Sequence, residues 1–209
     1  MSIYDVYEGV LQGIENMSWA EGLAVFFAIV SVFASKANSV WVYPTGIAGI
    51  LISISIFVQE EYRLYPDIGL SLYYLVMSVY GWYVWTRKDR QQHETPVSWC
   101  SRKELLTAGL IFAVLWAVLY WWLSTYKINN VPGLDSFCSA MGCSGMWLLA
   151  RRKIENWLAL LIADAVAIPL FFIKKLMLFC ALNIFYVVIA WLGFLAWKKI
   201  REKQMAAVC

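Results

Sequence analysis

The chain has 209 residues, of which 62% are hydrophobic, 17% aromatic and only 15% charged. Soluble domains carry roughly 25% charged residues, so this composition excludes a soluble domain and indicates an integral membrane protein. The net charge is +3, and the basic residues cluster beside apolar segments, so we expect no nucleic-acid partner. One histidine and five cysteines without a Cys-x-x-Cys pair make a zinc site unexpected, and we predict no metal or cofactor.

Seven apolar windows follow an acidic N-terminal segment. That segment, residues 1–19, has Asp5, Glu8 and Glu15 where a signal peptide has basic residues. The windows approach the length of ~20 residues that a bilayer requires, and they lie at residues 20–36, 40–58, 67–86, 105–123, 135–149, 157–173 and 177–197. The fifth, DSFCSAMGCSGMWLLA, is short and rich in small residues, which is typical of a tightly packed or partly broken helix.

The windows predict an all-α membrane protein with seven transmembrane helices. A first three-helix bundle occupies residues 20–86 and a second occupies residues 135–197, with a basic cytoplasmic loop and linker helix at 87–134 between them. Thirteen lysines and arginines lie in the segments on one side of this arrangement and four on the other. Because basic residues favour the cytoplasmic side, we expect residues 1–19 to be extracytoplasmic and the tail, residues 198–209, to be cytoplasmic.

Asp164 lies in the middle of the sixth window, within the run ENWLALLIADAVAIPLFF. A carboxylate at the centre of a membrane helix costs roughly 2.5–3.5 kcal/mol, so it usually faces a cavity, a partner or a ligand. Trp157 and Leu160 share its helix face, and Trp157 lies about 10 Å from it along the axis. This face predicts a site for a flat or cationic small molecule. In the alternative, Asp164 has a structural role and bonds a Ser or Asn of a neighbouring helix.

An internal repeat relates the third window to the seventh. Aligning Gly81 with Gly193 pairs residues of similar type, namely Ser71 with Asn183, Tyr74 with Tyr186, Trp85 with Trp197 and, upstream, Trp41 with Trp157. Both units run in the same direction, which predicts a parallel 3+1+3 duplication with a substrate near the midplane between the repeats. Ser71, Tyr74, Asn183 and Tyr186 are therefore candidate substrate-binding residues, unless they only join helices. Trp41 is a further candidate, although a tryptophan at a window end also suits an interface anchor.

Three segments carry a resemblance to a known family. SWAEGLAVFFAIVSVFASKANSVWVYP, LYPDIGLSLYYLVMSVYGWYVW and ENWLALLIADAVAIPLF resemble the Pnu family of bacterial vitamin transporters, and the likeness extends over roughly residues 18–200. The resemblance implies a SWEET-like arrangement of seven core helices, a homotrimer and a place in the bacterial inner membrane. It also implies facilitated diffusion of a B vitamin that a cytoplasmic kinase then traps.

Two departures from the family pattern bear on the substrate. Nicotinamide riboside-transporting members have a second Trp where this chain has Leu160, and they tend to have Gln where it has Ser71. These changes, together with Asp164 and Trp157 as partners for a cation, favour thiamine as the substrate. Nicotinamide riboside, which is also a cation, and riboflavin remain the alternatives. A membrane enzyme is not expected, because no catalytic constellation is present, and a non-transporting scaffold or receptor is a remote alternative.

Overall fold

The computed structural model describes residues 3–58, 65–87, 95–126 and 131–206. Within these ranges the chain forms eight α-helices and no β-strand: α1 (Ile3–Glu15), α2 (Trp19–Lys36), α3 (Val42–Phe57), α4 (Tyr65–Thr86), α5 (Arg102–Thr125), α6 (Pro132–Ala150), α7 (Asn156–Ile173) and α8 (Met177–Ala206). The prediction of an all-α protein is confirmed. Each predicted window coincides with one of the helices α2 to α8, whereas α1 was not predicted.

Four helices, α2, α5, α7 and α8, are long and apolar enough to cross a bilayer, and α3 is a shorter apolar helix. Of the two remaining window helices, α4 and α6, the second is rich in small residues. Nine residues of α6 are buried, including Ser144 and Gly145. Such a helix is surrounded by protein, so it does not need a continuous apolar surface.

Sequence-encoded caps fix where the spanning helices begin. The Ser18 hydroxyl accepts a hydrogen bond from the Glu21 amide at 3.2 Å, and the Glu21 carboxylate accepts one from the Ser18 amide at 2.7 Å. The same reciprocal pair forms between Ser101 and Glu104 at the start of α5. Such capping boxes satisfy amides that have no acceptor in the first turn. At the other end, α8 continues to Ala206 because KKIREKQMA consists mostly of good helix formers.

The helices pack largely with their neighbours in sequence: α2 with α3 and α3 with α4 in one group, and α5 with α6, α6 with α7 and α7 with α8 in the other. Contacts of α4 with α6 and of α2 with α8 join these two groups. Four buried rings lie where the groups meet, and we call them the aromatic layer: Tyr43, Trp85, Trp157 and Trp197. Ring centroids are 5.2 Å apart for Tyr43 and Trp85, 5.8 Å for Trp85 and Trp197, and 5.8 Å for Trp197 and Trp157.

A strap formed by residues 95–100 closes the bundle on one side of the aromatic layer. It pairs with the turn after α6, where the Ser98 amide donates to the Arg152 carbonyl at 3.2 Å and the Ile154 amide donates to the Ser98 carbonyl at 3.0 Å. Arg152 is 2% exposed, and its guanidinium lies 4.3 Å from the centroid of the Trp85 ring. Because Arg151 and Lys153 flank it, we call this side the basic end.

Candidate functional site

A cavity of about 450 Å³ lies between the two helix groups. Small and hydroxyl side chains of α2, α3 and α4 form one wall, and aromatic and aliphatic side chains from both groups form the rest. The lining residues include Ser31, Ser35, Ser53, Phe57, Ser71, Tyr74, Ser78, Met146, Trp157, Leu160 and Tyr186. The cavity therefore combines aromatic surface for a ring with hydroxyl groups for polar substituents.

Glycines bring α2 and α3 close together and keep this wall thin. A Cβ added at Gly49 would lie 3.3 Å from Phe27 Cβ, and one added at Gly46 would lie 3.1 Å from the Ser31 hydroxyl. That hydroxyl donates to the Val42 carbonyl at 2.9 Å, which ties α2 to the start of α3. The position of the wall thus depends on the close approach of the α2 and α3 backbones. Larger side chains at these glycines would push the two helices apart.

The indoles of the aromatic layer differ in how their N–H groups are satisfied. Trp85 Nε1 donates to the Leu149 carbonyl at 3.2 Å, and Trp197 Nε1 donates to the Ser35 carbonyl at 2.9 Å. Trp157, which lines the cavity, has a buried Nε1 without an acceptor in the part of the chain that the structure describes. Its ring is fixed by close packing, because a Cβ at Gly193 would lie 2.6 Å from it.

Two hydroxyl groups of lining residues also lack a hydrogen-bond partner. The Ser35 and Ser78 hydroxyl oxygens are buried and have no hydrogen-bond partner among residues 3–58, 65–87, 95–126 and 131–206. A buried polar group left unsatisfied costs about 1–3 kcal/mol. Together with Trp157 Nε1, these hydroxyl oxygens are polar atoms of lining residues that the described part of the protein leaves unsatisfied, and each is covered by neighbouring atoms in this structure.

Asp164 lies beside the cavity and is not one of its lining residues. Its half-buried carboxylate interacts electrostatically with the hydroxyls of Tyr74 and Tyr186, both of which line the cavity. Within the described ranges no hydrogen bond or ion pair reaches the carboxylate. The structural alternative, in which Asp164 bonds a neighbouring Ser or Asn, is thus not supported by a contact in these ranges. When it is ionised, Asp164 places a negative charge close to the tyrosine side of the cavity.

The structure brings five of the eight candidate residues together around the cavity: Ser71, Tyr74, Trp157, Leu160 and Tyr186. Asn183 is buried outside the lining, and its side-chain amide donates to the Phe179 carbonyl of its own helix at 2.8 Å. Trp41 is 69% exposed and faces away from the bundle.

The pairing of Trp41 with Trp157 was wrong in register. Tyr43 is the second residue of α3, as Trp157 is of α7. A Cβ at Gly81 would clash with the Tyr43 ring just as one at Gly193 would clash with Trp157. Tyr43 therefore occupies the place that the alignment gave to Trp41, two residues away. The alignment favoured the tryptophan because it matched residue type, whereas the structure matches the ring that packs on the glycine.

Four serines of the wall, Ser31, Ser35, Ser53 and Ser78, were missed by the sequence reasoning. A signal was present, because Ser31 and Ser35 are one helical turn apart and Ser71 and Ser78 are two turns apart, so each pair shares a helix face. Serine is also common as a small packing residue in membrane helices. Spacing alone therefore did not distinguish a cavity wall from a helix contact.

Comparison with known proteins adds a family and a fold. The family model described as nicotinamide mononucleotide transporter matches residues 18–199. The nicotinamide riboside transporter PnuC of Escherichia coli (strain K12) is 21% identical over 203 residues, covering 85% of this chain and 83% of that protein. The riboflavin/roseoflavin transporter RibM of Streptomyces davaonensis is 23% identical over 164 residues, covering 76% and 74%.

A solved structure shares the arrangement of the helices. The crystal structure of the vitamin B3 transporter PnuC superposes with a TM-score of 0.68 over 96% of this chain and 90% of that one, at 16% sequence identity. At this identity the likeness establishes the fold, and the resemblance to the Pnu family seen in the sequence is confirmed by the family match.

Proposed function

Because the chain belongs to the nicotinamide mononucleotide transporter family, we propose that it carries a small, ring-containing B vitamin across the membrane by way of the cavity. The observation that carries this proposal is the cavity itself, whose lining combines the rings of Tyr74 and Tyr186 with a wall of serine hydroxyls. A bound vitamin finds hydrogen-bond partners among the serine hydroxyls of the wall. Its ring lies against Trp157 and the two tyrosines, Tyr74 and Tyr186.

Nicotinamide riboside is the vitamin that fits both the aromatic side and the serine wall of the cavity. Its ring is cationic, so it is attracted by the potential of Asp164 and by the faces of Trp157 and the tyrosines. Its ribose hydroxyls match the serine wall. The two relatives described above are transporters of nicotinamide riboside and of riboflavin, and both of these compounds combine an aromatic ring with a hydroxyl-bearing chain.

The cavity favours the riboside over a phosphorylated form. No lysine or arginine is among the residues that line it, as far as the chain is described. A phosphate buried there would have no cationic partner, and unpaired buried charge is strongly unfavourable. This supports transport by facilitated diffusion in which a cytoplasmic kinase phosphorylates the vitamin, so that it no longer fits the cavity and is trapped.

Thiamine is the second candidate, favoured by Leu160. This side chain lines the cavity where nicotinamide riboside-transporting members place a tryptophan, and it is held close to Gly145, at which an added Cβ would lie 3.1 Å from Leu160 Cδ2. A leucine leaves more room beside Trp157 than an indole does. Thiamine, with two rings joined at an angle, uses such room, and its fixed positive charge suits Asp164.

Calorimetric titration of the purified protein with nicotinamide riboside, nicotinamide mononucleotide, riboflavin and thiamine tests these proposals together. We expect the tightest binding for nicotinamide riboside and a large loss for the mononucleotide. Tightest binding of thiamine would replace nicotinamide riboside by the second candidate. Binding of none of the four would remove the vitamin-transport proposal.

The contacts of the aromatic layer support a parallel 3+1+3 repeat in seven membrane spans. Tyr43 packs on Gly81 and Trp157 packs on Gly193, and Trp85 and Trp197 follow these glycines at the same distance in sequence. On this arrangement α2–α4 and α6–α8 are equivalent and α5 links them. As in the family resemblance, we expect a homotrimer, which native mass spectrometry of the detergent-solubilised protein tests.

The proposed orientation places the basic end in the cytoplasm of a bacterial cell and α1 outside. Impermeant maleimide labelling of intact cells tests it, with the native cysteines replaced. A cysteine at Glu15, exposed in α1, should be labelled from outside, and a cysteine at Arg87, exposed at the end of α4, should be labelled only after lysis. The reverse pattern would invert the topology.

A further inference from the structure

Helix α1 lies outside the residues that match the family, which begin at residue 18. It has 13 residues, so at 1.5 Å per residue it is about 20 Å long. The hydrocarbon core of a bilayer is about 30 Å thick. Helix α1 is therefore too short to span the membrane, and its role must be sought at the surface.

The contacts of α1 place it where spanning helices enter the membrane. A Cβ added at Gly9 would lie 2.7 Å from Met177 Cγ, and one added at Gly13 would lie 2.8 Å from Leu178 Cβ. Successive turns of α1 thus meet adjacent residues at the very start of α8, so α1 crosses the end of α8 and does not run along it. Its own end is joined through a short turn to Trp19, the first residue of α2.

At about 100° per residue, α1 presents distinct faces. Gly9 and Gly13 face α8. Residues on the next face are exposed and polar, namely Glu8, Gln12 and Glu15. The face opposite the glycines is apolar and aromatic, and we call it the α1 apolar face: Tyr4, Tyr7, Leu11 and Ile14, which are 66%, 60%, 40% and 49% exposed.

We propose that α1 is an interfacial anchor that inserts the α1 apolar face into the boundary between lipid headgroups and acyl chains. The helix that follows in the chain, α2, is apolar enough to span the membrane and begins with exposed apolar side chains, Trp19, Leu23 and Phe26. Tyrosine and tryptophan are the residues enriched at this boundary. The polar face, turned to water, completes the pattern of a helix lying in the interface plane.

The charge of α1 defines the lipid surface that it fits. No lysine or arginine precedes Lys36 in the sequence, whereas interfacial helices that select anionic lipids are rich in basic residues. Insertion of α1 is thus driven by its apolar and aromatic side chains, and it occurs on a zwitterionic surface. Because the water-facing side of α1 carries acidic residues, added anionic lipid does not strengthen its insertion.

Spin-label accessibility on the full-length protein tests the anchor. Single cysteines are placed at Leu11, on the α1 apolar face, and at the adjacent Gln12, on the polar face, in a background without native cysteines. Both labelled proteins are reconstituted in phosphatidylcholine vesicles and in an equal mixture of phosphatidylcholine and phosphatidylglycerol. Because both sites are exposed, folding is expected to be retained, which size exclusion checks.

At Leu11 the ratio of oxygen to nickel-chelate accessibility should exceed that at Gln12 severalfold, and it should be the same in both lipid mixtures. Equal nickel-chelate access at the two positions would mean that the α1 apolar face is in water and would overturn the proposal. Shielding of Leu11 from both reagents, with dipolar broadening that disappears on dilution with unlabelled protein, would overturn it in favour of a second copy of the chain.

Discussion

Replacing Asp164 by Asn removes a charge beside the cavity while keeping the shape of the side chain. The carboxylate lies two helical turns from Trp157 and interacts electrostatically with Tyr74 and Tyr186. A cationic ring bound at Trp157 is thus about 10 Å from it at the helical rise. With an effective dielectric constant of about 20, two unit charges at this distance interact by about 1.7 kcal/mol. At a pH at which Asp164 is ionised, the Asp164→Asn variant should therefore lose roughly 15-fold in affinity for a cationic vitamin.

Calorimetry with charged and uncharged vitamins isolates this effect. Nicotinamide riboside and thiamine are cations and should lose affinity, whereas riboflavin, which is neutral, should bind the variant as it binds the unaltered protein. The difference between the two classes controls for any change in cavity shape. Unchanged affinity of the variant for a cation that the unaltered protein binds would refute the electrostatic role of Asp164.

Further substitutions probe the packing and volume of the site. Gly193→Ala forces a methyl group against the buried Trp157 ring and should lower the free energy of unfolding by about 1–3 kcal/mol, the usual cost of overpacking. Gly109→Ala, where nothing lies within 4 Å of an added Cβ, is the matched control and should be neutral or slightly stabilising in the same thermal-shift assay; equal destabilisation by both would contradict the packing argument. Leu160→Trp adds an indole to the cavity and should weaken thiamine binding in calorimetry, and tighter thiamine binding would show that position 160 does not limit the space.

Much of the fold could be predicted from composition and window length. The apolar windows located seven helices, because the bilayer imposes a minimum length on each span. Helix α1 was missed because its 13 residues form no window of that length. Its apolar and polar residues alternate with helical spacing, a signal that a search for membrane-length windows does not use.

The cavity was predicted in part. Trp157 and Leu160, which helical spacing puts on one face of α7, both line the cavity. Asp164 shares that face by spacing, yet it is not among the residues that line the cavity. Which helices pack against each turn is a tertiary property that spacing in one helix does not specify. The same limit applies to Asn183, whose side chain bonds within its own helix.

The aromatic layer shows that a repeat alignment can pair the glycines of two helices and still miss one of the rings that pack on them. Gly81 and Gly193, which the alignment pairs, are each a point where a ring of another helix packs closely. The partner rings, Tyr43 and Trp157, differ in type, so the alignment chose Trp41 in place of Tyr43. Close packing selects a ring at one position and tolerates a change of aromatic residue, whereas a sequence comparison favours identity.

Uptake of labelled vitamin by proteoliposomes of the purified protein tests the central claim most directly. Vesicles are supplied separately with nicotinamide riboside, riboflavin and thiamine, with protein-free vesicles as the control. We predict saturable uptake of nicotinamide riboside that stops when the internal and external concentrations are equal and that an ionophore does not change. Uptake no faster than in protein-free vesicles for all three vitamins, by protein shown to be folded, would contradict the account.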